Sequence, residues 1–201
     1  NRLSNVRGTF NASYGYDAMG YRRSATRNGV STRYVLDVNG SMENILMETN
    51  ASNAPIYYYI HGNGLLYRIK DSDNTAQYYH YDSRGSTLAI TDQNQNITHK
   101  YAYDAFGKIT NTVETDFNPY RYVGQYGVMY ESADLYFMRA RYYKPEIGRF
   151  MSEDPVWNSN LYAYASNNPI QEIDPNGLTP ISEESKKRKR QELLKKQMLL
   201  L

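Results

Sequence analysis

The sequence predicts an all-β protein, an antiparallel sheet that curls into a spiral, with helix confined to a short C-terminal tail. A pattern of about 20 residues recurs five times in the first half of the chain, and tyrosine supplies 22 of the 28 aromatic residues. Tyrosine suits strands whose two faces meet different environments, because its ring can be buried while its hydroxyl stays hydrated. Repetition and tyrosine content together favour stacked β units.

The recurring pattern is Tyr-x-Tyr-Asp-x-x-Gly. Three copies match fully, at residues 14–20, 79–85 and 101–107. The copies at 34–40 and 58–64 are degenerate, with Leu36 in place of the second tyrosine and His61 in place of the aspartate. Successive aspartate positions lie 20, 24, 21 and 22 residues apart, which indicates repeated structural units. An ordinary tyrosine-rich β-sandwich is the alternative, but it requires neither the fixed period nor the fixed turn.

Each copy predicts a strand, a four-residue turn and a returning strand. Successive side chains of a strand point to opposite faces, so Tyr101 and Tyr103 should share one face. Asp104 and Gly107 should occupy the first and fourth turn positions, where aspartate accepts backbone hydrogen bonds and glycine adopts a positive φ. The β-branched run 108–113 is the returning strand. A single unit cannot bury its own apolar face, so neighbouring units must stack into one continuous sheet.

The charge of the chain is uneven. The formal net charge is +2, and residues 186–201 hold seven of the 23 lysines and arginines, so the remainder is slightly acidic. Nucleic-acid binding by the β body is therefore not expected. The lack of cysteine excludes disulfides, thiolate metal sites and cysteine nucleophiles. The sequence has neither an apolar stretch of membrane-spanning length nor a signal peptide.

The tail predicts a short basic helix. Glu183 and Glu184 suit a first helical turn, and Leu194, Met198 and Leu201 recur on one face. Its basic run could bind nucleic acid or an anionic membrane. A solvated linker, or the first helix of a following domain, fits this composition better.

The second half of the chain contains an ordered series of short motifs. These are PYRYVGQ at 119–125, LYFMRARYY at 135–143, GRF at 148–150, DP at 154–155, LYAY at 161–164, NNP at 167–169 and DPNGL at 174–178. With the preceding repeats, this series resembles the YD repeats and the Rhs-associated core of the Rhs family of polymorphic toxins, which is related to toxin-complex C subunits and teneurins. The resemblance covers residues 14–178.

The resemblance implies three regions. Residues 1–113 would form a YD-repeat β-spiral, part of a β-cocoon shell, and residues 114–178 an Rhs-associated core that acts as plug and autoprotease. Residues 179–201, the basic helical tail, would begin the variable C-terminal region. So few strands make a ribbon too narrow to encircle a folded cargo. Because the chain also starts at Asn1 without a methionine, we expect it to be part of a longer shell.

Family members with this core cleave themselves after the leucine of Asp-Pro-x-Gly-Leu, which here is the bond between Leu178 and Thr179. The resemblance assigns the chemistry to Asp154 and Asp174, supported by Arg141, and implies an aspartyl peptidase that acts once in cis. Two carboxyl groups suit this task, because an ionised one can activate water while a protonated one donates to the carbonyl. Both Asp-Pro sequences are also good turns, so a purely structural role is the alternative.

The resemblance further implies partners and a location. The partners are the chain's own C-terminal toxin domain and upstream YD repeats in cis, an immunity protein and a secretion-system component, and the location is secreted or cell-surface. No cofactor or metal is expected, because His61, His80 and His99 lack carboxylates at ligand spacing and fit hydrated strand positions. Trp157 is expected in the core. The alternative function is a non-catalytic cell-surface YD-repeat protein with a structural or adhesive role.

Overall fold

The structure is a computed structural model that describes residues 3–7, 11–131, 134–157, 159–182 and 184–185. The first half forms one sheet of eleven antiparallel strands, each paired with its neighbours in chain order. These are β1 (Asn5–Val6), β2 (Ala12–Tyr16), β3 (Arg22–Arg27), β4 (Val30–Asp37), β5 (Asn44–Thr49), β6 (Pro55–Gly62), β7 (Gly64–Lys70), β8 (Ala76–Tyr81), β9 (Thr87–Thr91), β10 (Ile97–Tyr103) and β11 (Ile109–Val113). The predicted all-β class and antiparallel pairing are confirmed.

The predicted aspartate turns are present. In the turn that begins at Asp104, the backbone N–H groups of Phe106 and Lys108 donate to Asp104 Oδ1, each at 2.9 Å. Gly107 closes the turn by donating its N–H to the Asp104 carbonyl at 3.2 Å, and it does so with φ 88°. The turns at Asp17 and Asp82 close through the same glycine-to-aspartate bond. Glycine is required at the fourth position because side chains disfavour this φ.

A β-bulge recurs at one place in every repeat. Tyr16 pairs with Arg22 while Gly15 pairs with Ser24, so Arg23 is an extra residue in β3. The equivalent extra residues in β5, β7, β9 and β11 are Leu46, Leu66, Leu88 and Thr110. A bulge bends its strand and increases the local twist. One bulge per unit therefore gives a physical reason for the curl that the sequence predicts.

The repeated tyrosines line the inner face of this sheet. Tyr101 and Tyr103 share that face as predicted, with ring centroids 6.3 Å apart. The second tyrosine of a unit also binds the preceding unit. Tyr81 donates its hydroxyl to the Leu65 carbonyl, and Tyr103 donates to the Thr87 carbonyl, both at 2.8 Å. Neighbouring units are thus joined by side chains as well as by the strand hydrogen bonds.

The predicted alignment of the copy at 58–64 is wrong by one residue. The side chains that face inward are Tyr57, Tyr59 and His61, whereas Tyr58 is 36% exposed. His61 takes the place of the second tyrosine, and its Nε2 lies 2.9 Å from the Ile45 carbonyl oxygen. The reason is that the hairpin between β6 and β7 closes through a shorter turn than the others. The sequence of this copy matches the repeat, but its inward-facing side chains are shifted by one residue.

Described residues of the second half pack against the inner face. A second antiparallel sheet contains β12 (Met129–Glu131), β13 (Leu135–Met138), β14 (Arg141–Lys144) and β15 (Arg149–Phe150), and β16 (Glu172–Ile173) pairs with β17 (Ile181–Ser182). Short 3-10 helices span Gly124–Tyr126, Pro145–Ile147 and Ala165–Asn167. Tyr120 contacts Tyr59 and Tyr79 of the first sheet, with ring centroids 5.1 and 6.4 Å apart. One core cluster lies between the two sheets, and a second, which includes Tyr136, Tyr143 and Tyr164, covers the other face of the second sheet.

Buried ion pairs join the two halves. Glu131 is fully buried, with Arg22 Nη1 at 2.5 Å and Arg27 Nε at 2.7 Å from its carboxylate oxygens. Arg68, also fully buried, lies with Nη2 2.9 Å from Asp116 Oδ1. Buried charges are strongly unfavourable unless they are paired. These pairs therefore fix residues 116 and 131 at single positions on the first sheet.

Two expectations about single side chains are wrong. Trp157 is 88% exposed, because it lies in the irregular segment after β15 rather than on a strand that faces the core. His99 is fully buried, and its Nε2 lies 2.8 Å from Asp116 Oδ1. We expected water around this imidazole, but Asp116, from the segment after β11, takes its place. His80, by contrast, is exposed as predicted.

The predicted basic tail helix lies mostly outside the described residues. Residues 186–201 are not described, and the described part of the tail contains β17 and a helical turn at 184–185. No helix among the described residues has the length and apolar character needed to cross a membrane.

Candidate active site

The structure brings the three predicted catalytic residues together. Arg141 begins β14, Asp154 follows β15, and Asp174 comes directly after β16. Arg141 Nη2 lies 2.8 Å from Asp154 Oδ2 and 3.5 Å from Asp174 Oδ2. The two carboxyl groups therefore meet at one guanidinium nitrogen.

Asp154 has contacts typical of a carboxylate. Its side chain is 8% exposed, and Oδ2 pairs with Arg141. Oδ1 accepts the backbone N–H of Val156 at 2.9 Å. The Asp154 N–H donates to the Leu161 carbonyl at 2.8 Å, which ties the loop after β15 to the segment that follows it. Each of these side-chain contacts comes from a donor, so the oxygens can remain acceptors.

Asp174 lies in a different environment. It is 1% exposed, and burial raises its pKa to about 6, although hydrogen bonds from Leu178 and Thr179 and the charge of Arg141 oppose this effect. Among the described residues nothing hydrogen-bonds its Oδ2. The Asp174 carboxyl group therefore keeps its proton over part of the pH range in which an ordinary aspartate is ionised. Two carboxyl groups with unlike environments are the arrangement that acid–base hydrolysis requires.

The predicted cleavage site lies against Asp174. Its Oδ1 accepts the N–H groups of Leu178 at 3.1 Å and Thr179 at 3.2 Å. Asn176 Oδ1 accepts the same two N–H groups at 2.9 and 3.1 Å. The nitrogen of the Leu178–Thr179 peptide bond is therefore within hydrogen-bond distance of the Asp174 carboxyl group.

The turn that carries Asp174 is tightly packed. Gly177 has φ 68°, and a Cβ at this position would lie 2.5 Å from the Met138 carbonyl oxygen. Its N–H donates to the Asp174 carbonyl at 3.3 Å. Its carbonyl accepts Arg141 Nε at 2.5 Å. Residues 174–177 therefore form the turn that a purely structural role of Asp174 predicts. The same turn also holds Asp174 next to Arg141.

Sequence reasoning missed two residues that contact this turn. Asn176 binds both N–H groups at the predicted cleavage site, and Arg139 Nη1 donates to the Pro175 carbonyl at 2.7 Å. In the sequence, only their positions within the LYFMRARYY and DPNGL motifs could have pointed to these two residues. A cleft of about 470 Å³ is lined by residues that include Arg139, Arg141 and Met151. The part of the chain that the structure describes contains no group of three acidic or histidine side chains placed to bind a metal ion.

Comparison with known proteins identifies the family. The teneurin YD-shell family model matches residues 3–171. The tRNA nuclease WapA of Bacillus subtilis (strain 168) is 38% identical over 177 residues, which cover 83% of this chain and 7% of that protein. The toxin protein Tse5 of Pseudomonas aeruginosa is 35% identical over 104 residues, or 50% of this chain and 8% of that protein.

A solved structure shows the same fold. The crystal structure of TcdB2-TccC3-Cdc42 superposes with a TM-score of 0.63 at 21% identity, over 86% of this chain and 9% of that chain. The chain thus spans less than a tenth of the length of each of these relatives. Repeats, fold and relatives agree that it is an Rhs-type YD-repeat chain, and it belongs to the teneurin YD-shell family.

Proposed function

We propose that the chain is the C-terminal shell segment of an Rhs-type polymorphic toxin that encloses a C-terminal toxin domain and releases it by cleaving itself once between Leu178 and Thr179. Residues 1–113 would be the wall, 114–178 the plug and autoprotease, and 179–201 the start of the variable region. The observation that carries the proposal is the contact of Asp174 Oδ1 with both N–H groups at this bond, while Arg141 joins Asp174 to Asp154.

The relatives support the proposed partners in cis, and the family resemblance suggests those in trans. The tRNA nuclease WapA and the toxin protein Tse5 are similar to this chain over a small part of their own length. We propose upstream YD repeats and a toxin domain as partners in cis, and an immunity protein and a secretion-system component as partners in trans. The proposed location is secreted or cell-surface.

The proposed reaction is a single hydrolysis. The Asp154 carboxylate, paired with Arg141, accepts a proton from a water molecule that attacks the Leu178 carbonyl carbon. The protonated Asp174 supplies the proton that the Thr179 nitrogen needs when the C–N bond breaks. One water molecule is consumed, and the immediate products are a carboxylic acid on Leu178 and an amine on Thr179, with the proton now on Asp154 instead of Asp174. The new acid then gives its proton to solvent and becomes a carboxylate.

The test is intact mass of the full-length protein over a time course. Asp154→Asn and Asp174→Asn should each block cleavage after Leu178. Both variants should stay folded, because asparagine keeps the side-chain oxygen that forms the turn. Arg141→Lys should slow cleavage, because lysine keeps the charge but loses the planar fork that reaches both carboxyl groups.

Asp104→Asn is the matched control. Asp104 forms an Asp-x-x-Gly turn like that of Asp174, with its glycine N–H bonded to the aspartate carbonyl and its Oδ1 bonded to backbone N–H groups. This variant should cleave at the parental rate. If Asp154→Asn and Asp174→Asn also cleaved at that rate, both aspartates would be turn residues of a structural plug. A parental protein that never loses its C-terminal segment would favour the non-catalytic structural or adhesive function.

A further inference from the structure

Three consecutive residues bind three consecutive carbonyls just before the proposed cleavage site. The donors are Arg139 Nη1 to the Pro175 carbonyl at 2.7 Å, the Ala140 N–H to the Asn176 carbonyl at 3.2 Å, and Arg141 Nε to the Gly177 carbonyl at 2.5 Å. Each carbonyl on the acyl side of the bond, from residue 175 to residue 177, is therefore held by its own donor. Residues 139–141, where β13 turns into β14, therefore hold the backbone of the turn that carries Asp174.

Arg139 differs from the other two donors because it also binds the first sheet. Its Nη2 donates to the carbonyls of Glu43 at 2.9 Å and Tyr126 at 2.8 Å. Its Nε lies 3.2 Å from Glu43 Oε2. Glu43 lies in the turn between β4 and β5, so one guanidinium connects a YD-repeat turn to the proposed cleavage turn. The backbone of Arg139 has φ 56°, a conformation that residues other than glycine seldom adopt.

We propose that Arg139 is a positioning residue for the cleavage reaction. It fixes Pro175 against the β4–β5 turn, and because Asp174 directly precedes Pro175, it also fixes the carboxyl group beside the bond to be broken. The inference rests on the proposed function, and it adds a condition: cleavage is fast only when this YD-repeat turn is packed on the core. Until the β4–β5 turn has folded onto the core, Asp174 would not be held in its place beside the bond to be cleaved.

Arg139 and Arg141 therefore have separate tasks. Arg141 contacts both carboxyl groups directly, whereas Arg139 acts through the Pro175 carbonyl. Hydrolysis is sensitive to such placement, since a displacement of about 1 Å can slow a reaction about 100-fold. We expect loss of the Arg139 guanidinium to slow cleavage by about 10- to 100-fold without removing either aspartate.

The test uses Arg139→Gly in the full-length protein, with cleavage followed by intact mass. Glycine suits the positive φ, so the substitution removes the side chain without straining the backbone. Arg139 lines a cleft of about 470 Å³, and we expect free guanidinium to enter the vacated space from that side. Guanidinium chloride, at concentrations well below those that unfold the protein, should restore several-fold of the lost rate without raising the melting temperature. A side chain that only stabilised the fold would not give this rescue.

Arg121→Gln is the matched control. Arg121 is another buried arginine, with Nη2 2.9 Å from Glu114 Oε2 and Nε bonded to the Asn118 carbonyl at 3.0 Å, and these partners lie within its own segment. This variant should cleave at the parental rate. Equal slowing in Arg121→Gln and Arg139→Gly, with no rescue by guanidinium, would assign the effect to stability and overturn the inference.

The Asp174→Asn variant separates the two proposals. If it blocks cleavage while Arg139→Gly cleaves at the parental rate, the autoprotease stands and the positioning role of Arg139 is overturned. If Asp174→Asn itself cleaves at the parental rate, the proposed function fails, and the positioning role fails with it.

Discussion

Replacing Asp174 by asparagine should change how the stability of the chain depends on pH. Burial raises the pKa of this carboxyl group to about 6 from its ordinary value of 3.8. At about 1.4 kcal/mol per pKa unit, ionisation destabilises the folded state relative to the unfolded state by about 3 kcal/mol. Asparagine cannot ionise, so the variant does not carry this penalty.

The direction follows from which state holds the proton more tightly. Below pH 3.8 Asp174 is protonated in both states, and its contribution to stability is fully present. As the pH rises towards 6, the unfolded chain loses this proton before the folded chain does, so stability is lost, and the loss is complete above the folded pKa. The free energy of unfolding of Asp174→Asn, minus that of the parental chain, should therefore increase by about 3 kcal/mol between about pH 3.5 and about pH 7.5.

The assay is chemical denaturation of both chains at several pH values, in samples shown by intact mass to be uncleaved. Subtraction removes the other titrating groups, since both chains share them. Asp92→Asn is the control with the opposite sign, because a hydrogen bond from Asn96 lowers the pKa of Asp92 and its contribution is lost as pH falls. A difference between Asp174→Asn and the parental chain that stays constant with pH would refute a buried, protonated carboxyl group at the site.

Two further predictions concern packing. Gly107→Ala should destabilise the chain by about 2 kcal/mol or more, because its Cβ would lie 2.5 Å from the Tyr122 ring at φ 88°. Gly29→Ala, at φ 85° where a Cβ would meet no described atom within 4 Å, should show only the strain of about 1 kcal/mol. Equal losses in thermal denaturation would argue against the tyrosine contact. Glu131→Gln should reduce the free energy of unfolding by about 3–5 kcal/mol, because it leaves two arginines buried without their carboxylate. A loss below about 1 kcal/mol in chemical denaturation would contradict this, because it is the value expected for ion pairs exposed to solvent.

The parts of the fold that depend on near neighbours in the chain were predictable from sequence. Strand alternation places Tyr101 and Tyr103 on one face, and the turn from Asp104 to Gly107 needs only four adjacent residues. The period then implied that such units stack. Each of these features is set by local chemistry, so one sequence was sufficient to find it.

The register of the degenerate copy was not predictable in the same way. The letters Tyr58 to Gly64 align with the repeat when residues are counted, but the pleat places Tyr57, Tyr59 and His61 inward. A shorter turn shifts the side-chain alternation by one residue, and a one-residue shift exchanges the two faces of a strand. Only the pairing of β6 with β7 reveals this shift.

The candidate site was predicted in its members but not in its electrostatics. The family resemblance named Arg141, Asp154 and Asp174, and the structure places them around one guanidinium nitrogen. That burial raises the pKa of Asp174, and that Arg139 reaches Glu43, depends on residues far apart in the chain. Neither composition nor spacing contains this information, because burial is a property of the packed molecule.

The contact between the second tyrosine of a unit and the carbonyl of the unit before it has a consequence for how such walls change in evolution. Because the same bulge recurs in all five units, and the same hydroxyl contact recurs in the three complete copies of the repeat, a unit presents one kind of edge to its predecessor and the matching kind to its successor. Gain or loss of a whole unit joins edges that already fit, whereas gain or loss of a single strand would place like edges together. The length of the wall is therefore counted in whole units, and the space that it borders grows in fixed steps.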